Sequence, residues 1–294
     1  MGIKNNLTFV IVTYESDNVI NDCLSSIPSN YPTIVIENSG KKNFQEEIEK
    51  KYPNVKCVVM EKNEGYSCGN NYGIKLTTTR FVFILNPDAR LQGNTLDELD
   101  KVSNEIKNFA ILAPTLISDK LKEGFGLTKN YGSYNKTLTT TSDFFEVDYL
   151  QGCGLLLDKN ELQNTGFFDE NIFMFFDDID LCKRIKNLGK KIYVSKKAQY
   201  IHLGAKAVKD EFFNEVEFSR NWHWMWSTFY FNKKHHGYFF ALKKTYKKMI
   251  TSIIKFLFFT LTFNSIKTKI YLMRFSGLYN SIIGKKSWYR AKIK

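Results

Sequence analysis

The chain has few of the residues that stabilise small secreted proteins or bind structural zinc. Its 294 residues include only five cysteines and four histidines. The cysteines are odd in number, widely spaced and never arranged as Cys-x-x-Cys, which argues against a disulfide framework and against a zinc knuckle. A chain of this length can bury a full hydrophobic core without either. The cysteine pattern favours a reducing cytoplasm.

Several sequence motifs are missing as well. No Gly-x-Gly-x-x-Gly follows the first apolar segment and no Walker lysine motif occurs, so the common dinucleotide and P-loop fingerprints are absent. The first apolar run is only about seven residues long and leads into polar residues, so we expect no signal peptide. Internal repeats are absent too.

Acidic residues are absent from the last quarter of the chain. Residues 218–294 contain 16 Lys and Arg and no Asp or Glu, whereas residues 1–217 contain 26 basic and 30 acidic residues. This contrast predicts a domain over residues 1–217 and a basic, aromatic-rich helical tail over residues 218–294. Nucleic acid, an anionic membrane and an acidic partner all suit such a tail, and charge alone does not choose among them.

One segment of the tail is strongly apolar. It runs from Met249 to Phe263, is interrupted by Lys255, and is shorter than the ~20 residues that a membrane-spanning helix needs. We therefore expect it to lie at an interface or to pack on the rest of the protein.

Short apolar, β-branched runs alternate with helical patterns through the first third of the chain. The expected strands are Leu7 to Thr13, Pro32 to Asn38, Val55 to Glu61 and Arg80 to Asn86. Continuous apolar runs of this length are typical of parallel strands buried on both faces, so the sequence predicts a doubly wound α/β domain. In such domains ligands bind at the carboxyl ends of the strands.

The rest of the first 217 residues is less regular. Residues 118–148 are rich in Thr, Gly, Asn and Tyr and predict loops or hairpins. A strand pattern follows at Gly154 to Asp158. A helix is expected from Asp178 to Leu188, ended by Gly189, and the segment KKIYVS predicts another strand.

Two polar segments next to predicted strands are candidate binding loops. Asn86, Pro87 and Asp88 follow the fourth strand, where Asp88 is either a ligand-binding carboxylate or a simple turn or cap residue. The segment from Asn63 to Ile74 contains three glycines and three asparagines. Close backbone approach and amide groups suit a sugar or diphosphate, and the alternative is a tight loop capping the next helix.

The segment FMFFDDIDLCKR, Phe173 to Arg184, places three carboxylates directly after large apolar side chains. One aspartate is expected to cap the following helix, and Asp180 is four residues from Arg184, the spacing of a helical ion pair. These roles explain two of the acids. The third would have a raised pKa next to the phenylalanines and could act as a general base.

His202 is the only histidine outside the tail. A single histidine is usually structural. If the fold brings it beside Asp88, the two side chains would provide the mixed nitrogen and oxygen ligands that Mn²⁺ and Mg²⁺ sites can use.

Taken together and in order, these motifs resemble the family-2 inverting glycosyltransferases of the GT-A fold, in particular a bacterial rhamnosyltransferase-like branch. The resemblance covers roughly residues 7 to 207. It is carried by VIVTYES, VIENSG, NEGYSCGNNYGI, FVFILNPDAR, GCGLLLD, the segment from GFFDE to KKIYV, and IHLGAKA. It implies a Rossmann-like, mostly parallel sheet flanked by helices, followed by the helical extension.

The resemblance also implies a binding site for a nucleotide diphosphate sugar. The matching positions are Thr13, Tyr14, Glu15, Glu37, Asn63, Gly65, Asn70, Asn86 and Asp88. In the family, the residues after the first strand border the nucleotide and the acid that ends the second strand, here Glu37, reads the pyrimidine base. The loop with Asn63, Gly65 and Asn70 lines the nucleotide sugar.

For the chemistry, the resemblance implies one divalent cation, Mn²⁺ or Mg²⁺, and one base. Asp88 matches the last acid of the metal-binding motif, whose first acid is replaced here by Asn86, and His202 is the expected second ligand. Asp178 matches the usual catalytic base, with Asp177 and Asp180 in support. The expected activity is inverting, metal-dependent transfer of rhamnose or another hexose during bacterial surface polysaccharide synthesis.

The resemblance also implies a role for the basic tail. Acceptors of such enzymes are glycans, often linked to a polyprenyl diphosphate, so we expect a cytoplasmic protein at the inner face of the cytoplasmic membrane. The lysines and the aromatic segment NWHWMWSTFYF would contact anionic lipid. The alternatives are a helical pair that packs on the domain and one that forms a homodimer.

Two other function classes remain as alternatives. One is a non-catalytic carbohydrate-binding or scaffold protein with the same fold. The other is a nucleic-acid-binding protein, suggested only by the charge of the tail, since no RNA-binding or helix-turn-helix signature is present. We expect no nucleic-acid partner.

Overall fold

The structure is a computed structural model that describes residues 2–106, 108–118, 121–124, 142–203 and 210–293. The chain forms two compact units. The sheet unit comprises Met1–Asp169 and Asp178–Val208, and the helical unit comprises Glu170–Asp177 and Lys209–Lys294. A short segment in the middle of the chain therefore belongs to the C-terminal unit. The predicted domain boundary at residue 217 falls inside a helix, Phe213–His236.

Ten strands form the sheet in the described part of the sheet unit. They are β1 (Leu7–Thr13), β2 (Thr33–Glu37), β3 (Val55–Val59), β4 (Phe81–Leu85), β5 (Ala89–Gln92), β6 (Ile111–Ser118), β7 (Leu121–Gly124), β8 (Phe144–Glu146), β9 (Gly154–Asp158) and β10 (Ile192–His202). The six predicted strand patterns correspond to β1, β2, β3, β4, β9 and β10. The last of these is longer than predicted. Most of the predicted loop region, residues 118–148, lies outside the described residues.

The helices of the chain are α1 (Ile20–Ser25), α2 (Lys42–Lys51), α3 (Tyr66–Leu76), α4 (Thr95–Glu105), α5 (Lys159–Leu162), α6 (Asp177–Asn187), α7 (Phe213–His236), α8 (Tyr238–Leu261) and α9 (Ser265–Ile282). A short 3₁₀ helix, Asp210–Phe212, precedes α7. Helix α6 agrees with the prediction to within one residue at each end. Gly189 follows it with a φ of 71°, the left-handed conformation expected after a helix.

The sheet is mixed, with strand order β3-β2-β1-β4-β9-β6-β10-β5. Strands β1 to β4 pair in parallel, as do β6 and β10. Strand β9 lies antiparallel between β4 and β6, and β5 is antiparallel to β10. The parallel half therefore matches the prediction, and the antiparallel strands belong to the second half of the unit.

Both faces of the sheet are buried, which explains the continuous apolar strands. Phe9 and Ile11 of β1 point into one hydrophobic cluster, and Val10 points into the cluster on the opposite face. On that second face α3 packs close to β1, because a Cβ at Gly73 would lie 2.4 Å from a Val10 methyl carbon. Glycine is thus needed for the helix to approach the strand.

Helices α7, α8 and α9 form the helical unit. Trp222, Trp226 and Phe229 of α7 are buried within it. A Cβ at Gly277 of α9 would lie only 2.1 Å from the Trp222 carbonyl oxygen, so these two helices are in close contact. The prediction that NWHWMWSTFYF contacts lipid is therefore wrong for most of its aromatic side chains, since they form the core of this unit.

The apolar segment from Met249 to Phe263 forms the second half of α8 and the turn after it. No helix in the described ranges is long and apolar enough to cross a membrane.

Candidate active site

Asp88 and His202 meet at one end of the sheet. Strand β5 begins immediately after Asp88 and pairs with the end of β10, with Ala89 opposite His202. The His202 Nε2 atom lies 3.0 Å from Asp88 Oδ1, and the Asp88 side chain is buried. The fold thus brings together two residues that are far apart in the sequence. Their oxygen and nitrogen atoms suit Mn²⁺ or Mg²⁺.

Without a bound cation the surroundings of His202 favour its protonated form, so a cation bound there would have to displace the ring proton. Burial lowers the pKa of the imidazole, but hydrogen bonds to Asp88 and Cys153 outweigh burial and raise it to about 10. The Asn86 side-chain nitrogen lies 3.4 Å from the same ring nitrogen. Among the described residues no three His, Cys, Asp or Glu side chains form a metal-binding group. A cation at this place would need ligands in addition to the Asp88 and His202 side chains.

Asp178 lies in the first turn of α6 and is held by backbone groups. Its Oδ2 accepts a hydrogen bond from the Gly152 amide at 2.8 Å, and its Oδ1 accepts one from the Ile179 amide at 2.8 Å. Burial raises the pKa of Asp178, and these hydrogen bonds only partly oppose the rise. A carboxylate with a raised pKa and a fixed orientation is suited to accept a proton.

The other two acids of the segment have different surroundings. Asp180 is fully buried and accepts a hydrogen bond from Arg184 Nε at 2.8 Å, which confirms the predicted helical ion pair. Asp177 is the first residue of α6 and is also buried. Asp178 is the aspartate that accepts the hydrogen bond from the Gly152 amide.

A chain of polar contacts joins Asp178 to Asp88. Gly152, whose amide binds Asp178, has its carbonyl oxygen 2.6 Å from the Tyr66 hydroxyl. That hydroxyl lies 3.0 Å from Asn86 Oδ1, and Asn86 contacts His202 beside Asp88. The predicted base and the predicted metal ligands therefore belong to one connected site within the sheet unit.

Tyr66 and Gly152 were not among the predicted site residues. A Cβ at Gly152 would lie 3.2 Å from the Asp178 Cβ, so any side chain there would press on the base. Both residues lie inside segments whose order supported the family resemblance. Their roles depend on contacts between distant positions, and nothing in the local sequence distinguishes them.

The residues after β1 form part of a second group of contacts. Thr13 is buried at the end of β1. Tyr14 donates its amide to Ser16 Oγ at 3.2 Å. Glu15 has a φ of 54°, and its carboxylate is paired with Lys41. The turn after β1 is thus tied to the loop that follows β2.

Glu37, at the end of β2, stabilises that same loop. Its two carboxylate oxygens accept hydrogen bonds from the amides of Ser39 at 2.8 Å and Lys41 at 2.9 Å. Ser39 Oγ in turn accepts a hydrogen bond from the Glu15 amide at 2.8 Å. The side chains of Glu15 and Glu37 therefore shape one loop region next to the carboxyl ends of β1 and β2.

The polar segment starting at Asn63 is mostly helical, contrary to the loop expected there. Gly65 has a φ of 91° and precedes the first residue of α3, and Asn63 Oδ1 accepts a hydrogen bond from the Gly65 amide at 3.0 Å. Asn70 lies within α3, where its side chain donates to the Tyr66 carbonyl at 3.0 Å. The glycines that suggested a loop allow this helix to pack against β1.

Three buried polar atoms next to this segment have no hydrogen-bond partner in the described part of the chain. They are Asn38 Oδ1, Ser67 Oγ and Asn70 Oδ1. The Asn38 side chain donates to the Gly65 carbonyl at 3.2 Å, which places it beside the start of α3. Buried polar groups normally find partners, so three unpaired atoms in one short region are unusual. Asn38 and Ser67 were not among the named site residues, although Asn38 ends a predicted strand and Ser67 lies in the candidate segment from Asn63 to Ile74.

Comparison with known proteins places the chain in a family. The family model described as "Glycosyltransferase like family 2" matches residues 5–227. The chain is similar to the low-salt glycan biosynthesis hexosyltransferase Agl10 of Haloferax volcanii, with 22% identity over 62% of this chain and 62% of the relative. It is also similar to the dTDP-rhamnosyl transferase RfbF of Shigella flexneri, with 23% identity over 70% and 72% of the two chains. The chain spans less than two thirds of the length of the first relative.

Two solved structures are similar to this fold. A structure of GalNAc-T7 with UDP, GalNAc and Mn²⁺ matches 74% of this chain and 51% of its own, with a TM-score of 0.55 and 14% identity. A structure of S. aureus TarS 1-349 in complex with UDP matches 97% and 93%, with a TM-score of 0.53 and 15% identity. At these identities the likeness concerns the fold alone, and it confirms the predicted GT-A architecture.

Proposed function

The chain belongs to the glycosyltransferase-like family 2, and on this basis we propose that it transfers a hexosyl group, with inversion, from a nucleotide diphosphate sugar to a glycan acceptor. The observation that carries the proposal is the polar connection from Asp178 through Gly152, Tyr66 and Asn86 to His202 and Asp88. This connection brings the proposed base, Asp178, and the proposed cation ligands, Asp88 and His202, into one site. A mechanism with a single displacement step requires both.

Asp88 and His202 would hold Mn²⁺ or Mg²⁺ together with diphosphate oxygens of the donor. When bound, the cation supplies positive charge that stabilises the diphosphate leaving group. Asn86, which contacts both His202 and Tyr66, keeps the imidazole in place.

Asp178 acts as the base. Its carboxylate takes the proton from an acceptor hydroxyl while the hydroxyl oxygen forms a bond to the anomeric carbon. The bond from that carbon to the diphosphate oxygen breaks, and its electron pair leaves with the nucleotide. Attack and departure take place on opposite faces of the sugar, so the configuration is inverted. The Gly152 and Ile179 amides hold the carboxylate in position during this step.

We favour a thymidine-diphosphate rhamnose donor, with UDP-hexoses as the next candidates. The similarity to a protein named as a dTDP-rhamnosyl transferase supports the first, and the fold shared with a UDP complex supports the second. Glu37 is the last residue of β2, and in this proposal its side chain contacts the pyrimidine base.

The acceptor in this proposal is a glycan or a glycan on a polyprenyl diphosphate, used in surface polysaccharide synthesis. A third similar protein, the minor teichoic acid biosynthesis protein GgaB of Bacillus subtilis, is 25% identical over 60% of this chain and 19% of its own. Such an acceptor would place the enzyme at the inner face of the cytoplasmic membrane, bound peripherally through the helical unit.

A thermal-shift panel tests the donor site. The purified chain is mixed with Mn²⁺ and each of several dTDP- and UDP-sugars, and nucleotide release is measured in parallel. A donor present at 100 times its dissociation constant adds about 2.7 kcal/mol to the free energy of unfolding. We expect one nucleotide class to raise the melting temperature and to be hydrolysed slowly. No shift and no release with any donor would contradict the proposal.

Replacing Tyr66 with Phe tests the polar connection. The change removes the hydroxyl that contacts Gly152 and Asn86, and the loss of one such contact predicts a fall in kcat of about fivefold to tenfold. Tyr72→Phe is a matched control, since Tyr72 is exposed on the same helix. Steady-state nucleotide release measures both. Equal rates for the two variants would show that the Tyr66 hydroxyl plays no part in the site.

A further inference from the structure

An exposed apolar stripe runs along the second half of α8. Its members are Ile250, Ile253, Ile254, Leu257, Phe258 and Leu261. Their spacing of three and four residues puts them on one side of the helix, the arrangement that normally faces a protein core. Here the core-facing side is a different one, with Ala241, Thr245 and Ser252 buried. The stripe is therefore an additional apolar surface.

The turn between α8 and α9 continues this surface. Phe263 has a φ of 54°, and its side chain is 94% exposed. Asn264 then caps α9 by accepting a hydrogen bond from the Lys267 amide at 3.1 Å. The bend is thus well formed and presents a phenylalanine at its tip. We call residues 250–267 the hairpin tip.

The segment from Lys247 to Lys267 contains lysines but no Asp or Glu. Lys247, Lys255 and Lys267 are exposed along it, and no Asp or Glu occurs after residue 217. The lysines lie beside aromatic rings of the hairpin, with Lys255 Nζ 3.2 Å from the Tyr271 hydroxyl and Lys267 Nζ 5.0 Å from the Phe259 ring centroid. The surface is thus both apolar and positively charged.

The combination of apolar and positively charged side chains favours one kind of binding partner over the others. A second copy of the chain would bring its own lysines against those of the first, which like charges oppose. Nucleic acid would pair with the lysines but leave the apolar stripe in water. An anionic bilayer satisfies both features, because lysines meet the headgroups and apolar side chains enter the acyl boundary.

We propose that the hairpin tip inserts into the headgroup region of an anionic membrane, with α8 lying along the surface. The inference rests on the proposed function insofar as a lipid-linked acceptor lies in the same membrane. The hairpin tip, and not the aromatic segment of α7, is then the lipid contact, since most of the rings in that segment are buried.

Vesicle flotation tests the hairpin tip. The full chain is mixed with phosphatidylcholine vesicles containing phosphatidylglycerol, or with phosphatidylcholine alone. The triple variant Ile254→Ser, Leu257→Ser, Phe258→Ser removes exposed side chains only, and Leu188→Ser, exposed in the sheet unit, is the control. We expect the triple variant to bind anionic vesicles about tenfold or more weakly, the control to bind like the native chain, and neutral vesicles to bind little.

Each alternative has its own outcome. Unchanged flotation of the triple variant would overturn the proposal, and so would loss of a dimer in light scattering without loss of flotation. Tighter binding to DNA than to anionic vesicles would also contradict it. Nucleotide release in detergent solution is measured for both variants, so that failure of the membrane contact is distinguished from failure of the transferase assignment.

A second inference comes from the segment immediately before the base. Residues 170–177 belong to the helical unit, and Asp178 is the next residue. Phe175 and Phe176 both have a φ of 67°, a conformation that costs energy for bulky residues and persists only where the surroundings hold it.

Helix α7 supplies the contacts that hold this segment. The Ser227 hydroxyl donates to the Met174 carbonyl oxygen at 2.8 Å. The His223 ring stacks on Phe173 with centroids 4.3 Å apart. Burial lowers the pKa of His223 to about 3, so the stacked ring is neutral. The Phe176 ring packs 5.3 Å from that of Trp224.

We infer that Ser227 and His223 are positioning residues for Asp178. Neither is proposed to touch substrate. By fixing the strained backbone before Asp178, they set where α6 begins and hence the direction of the catalytic carboxylate.

Ser227→Ala tests this role against Ser252→Ala, which removes another buried hydroxyl that bonds only to its own helix, at the Lys248 carbonyl. Hydrogen exchange by mass spectrometry is followed in the peptide covering residues 172–179. We expect exchange there to be about tenfold faster in Ser227→Ala, with kcat for nucleotide release reduced by a similar factor and the KM for the donor unchanged.

The control should change neither quantity. Equal exchange in the two variants would overturn the positioning role, as would a fall in kcat of the same size in Ser252→Ala. The exchange measurement does not depend on turnover, so it decides the inference even if the transferase assignment fails.

Discussion

Replacing Asp178 with Asn is expected to lower glycosyl transfer by about 10²- to 10⁴-fold, the contribution typical of a general base. The amide keeps the size of the side chain but cannot take a proton from the acceptor. Donor affinity, measured by calorimetry with Mn²⁺ present, should change little, because the carboxylate is bound by the Gly152 and Ile179 amides. An Asn variant with native turnover would remove Asp178 from the mechanism.

Asp180→Asn is the matched control from the same helix turn. Asp180 is fully buried against Arg184, so breaking this pair should lower the free energy of unfolding by about 3 kcal/mol. Turnover per folded molecule should stay close to native. Chemical denaturation and activity measured on the same preparations separate the two effects.

The pH dependence follows from the raised pKa of Asp178. The ionised form accepts the proton, so kcat/KM should rise with pH and level off only above a value higher than the ordinary 3.8. Because folding disfavours the ionised form, this group favours the folded state at low pH and loses that contribution as pH rises through its folded pKa.

The second large effect is expected at Asp88. Asp88→Asn removes the buried carboxylate that would bind the cation beside His202. The transition state would lose several kcal/mol of charge stabilisation, which predicts a fall in turnover of about 10²- to 10³-fold. In contrast to Asp178→Asn, donor binding should weaken as well. Treatment with EDTA should inactivate the native enzyme, and Mn²⁺ should restore it but leave Asp88→Asn inactive.

Asp97→Asn, which alters an exposed carboxylate in the sheet unit, should behave like the native enzyme in the same assay. Full activity after complete removal of divalent cations would contradict a metal site at Asp88 and His202.

The sequence predicted the strands of the sheet better than its helices. Strands β1 and β9 have the predicted bounds because a strand buried on both faces leaves a continuous apolar run. Helix α3 was missed because Gly69 and Gly73, which let it approach β1, are poor helix formers. Here tertiary packing outweighed local propensity.

The site was predictable where residues follow strands and unpredictable where distant segments meet. Asp88 lies near the end of β4, which made it a candidate, and the antiparallel pairing of β5 with β10 then brings His202 beside it. That pairing has no local signal. The contacts of Tyr66 with Gly152 and Asn86 likewise depend on the folded sheet.

The basic tail shows that composition alone does not predict which residues are buried. Its charge identified a separate region, yet the aromatic residues of α7 are core and the exposed apolar surface lies on α8. Composition cannot distinguish these because both helices are rich in apolar and aromatic residues. Helix α7 packs closely against α9 at Gly277, and Trp222, Trp226 and Phe229 of α7 are buried.

The stereochemistry of donor hydrolysis tests the central claim most directly. The donor that the panel identifies is incubated with the native enzyme, and the anomeric signals of the released sugar are followed by proton NMR before mutarotation. Single displacement assisted by Asp178 predicts that the first sugar released has the anomeric configuration opposite to that of the donor. Release with retained configuration, or release at the native rate from Asp178→Asn, would contradict it.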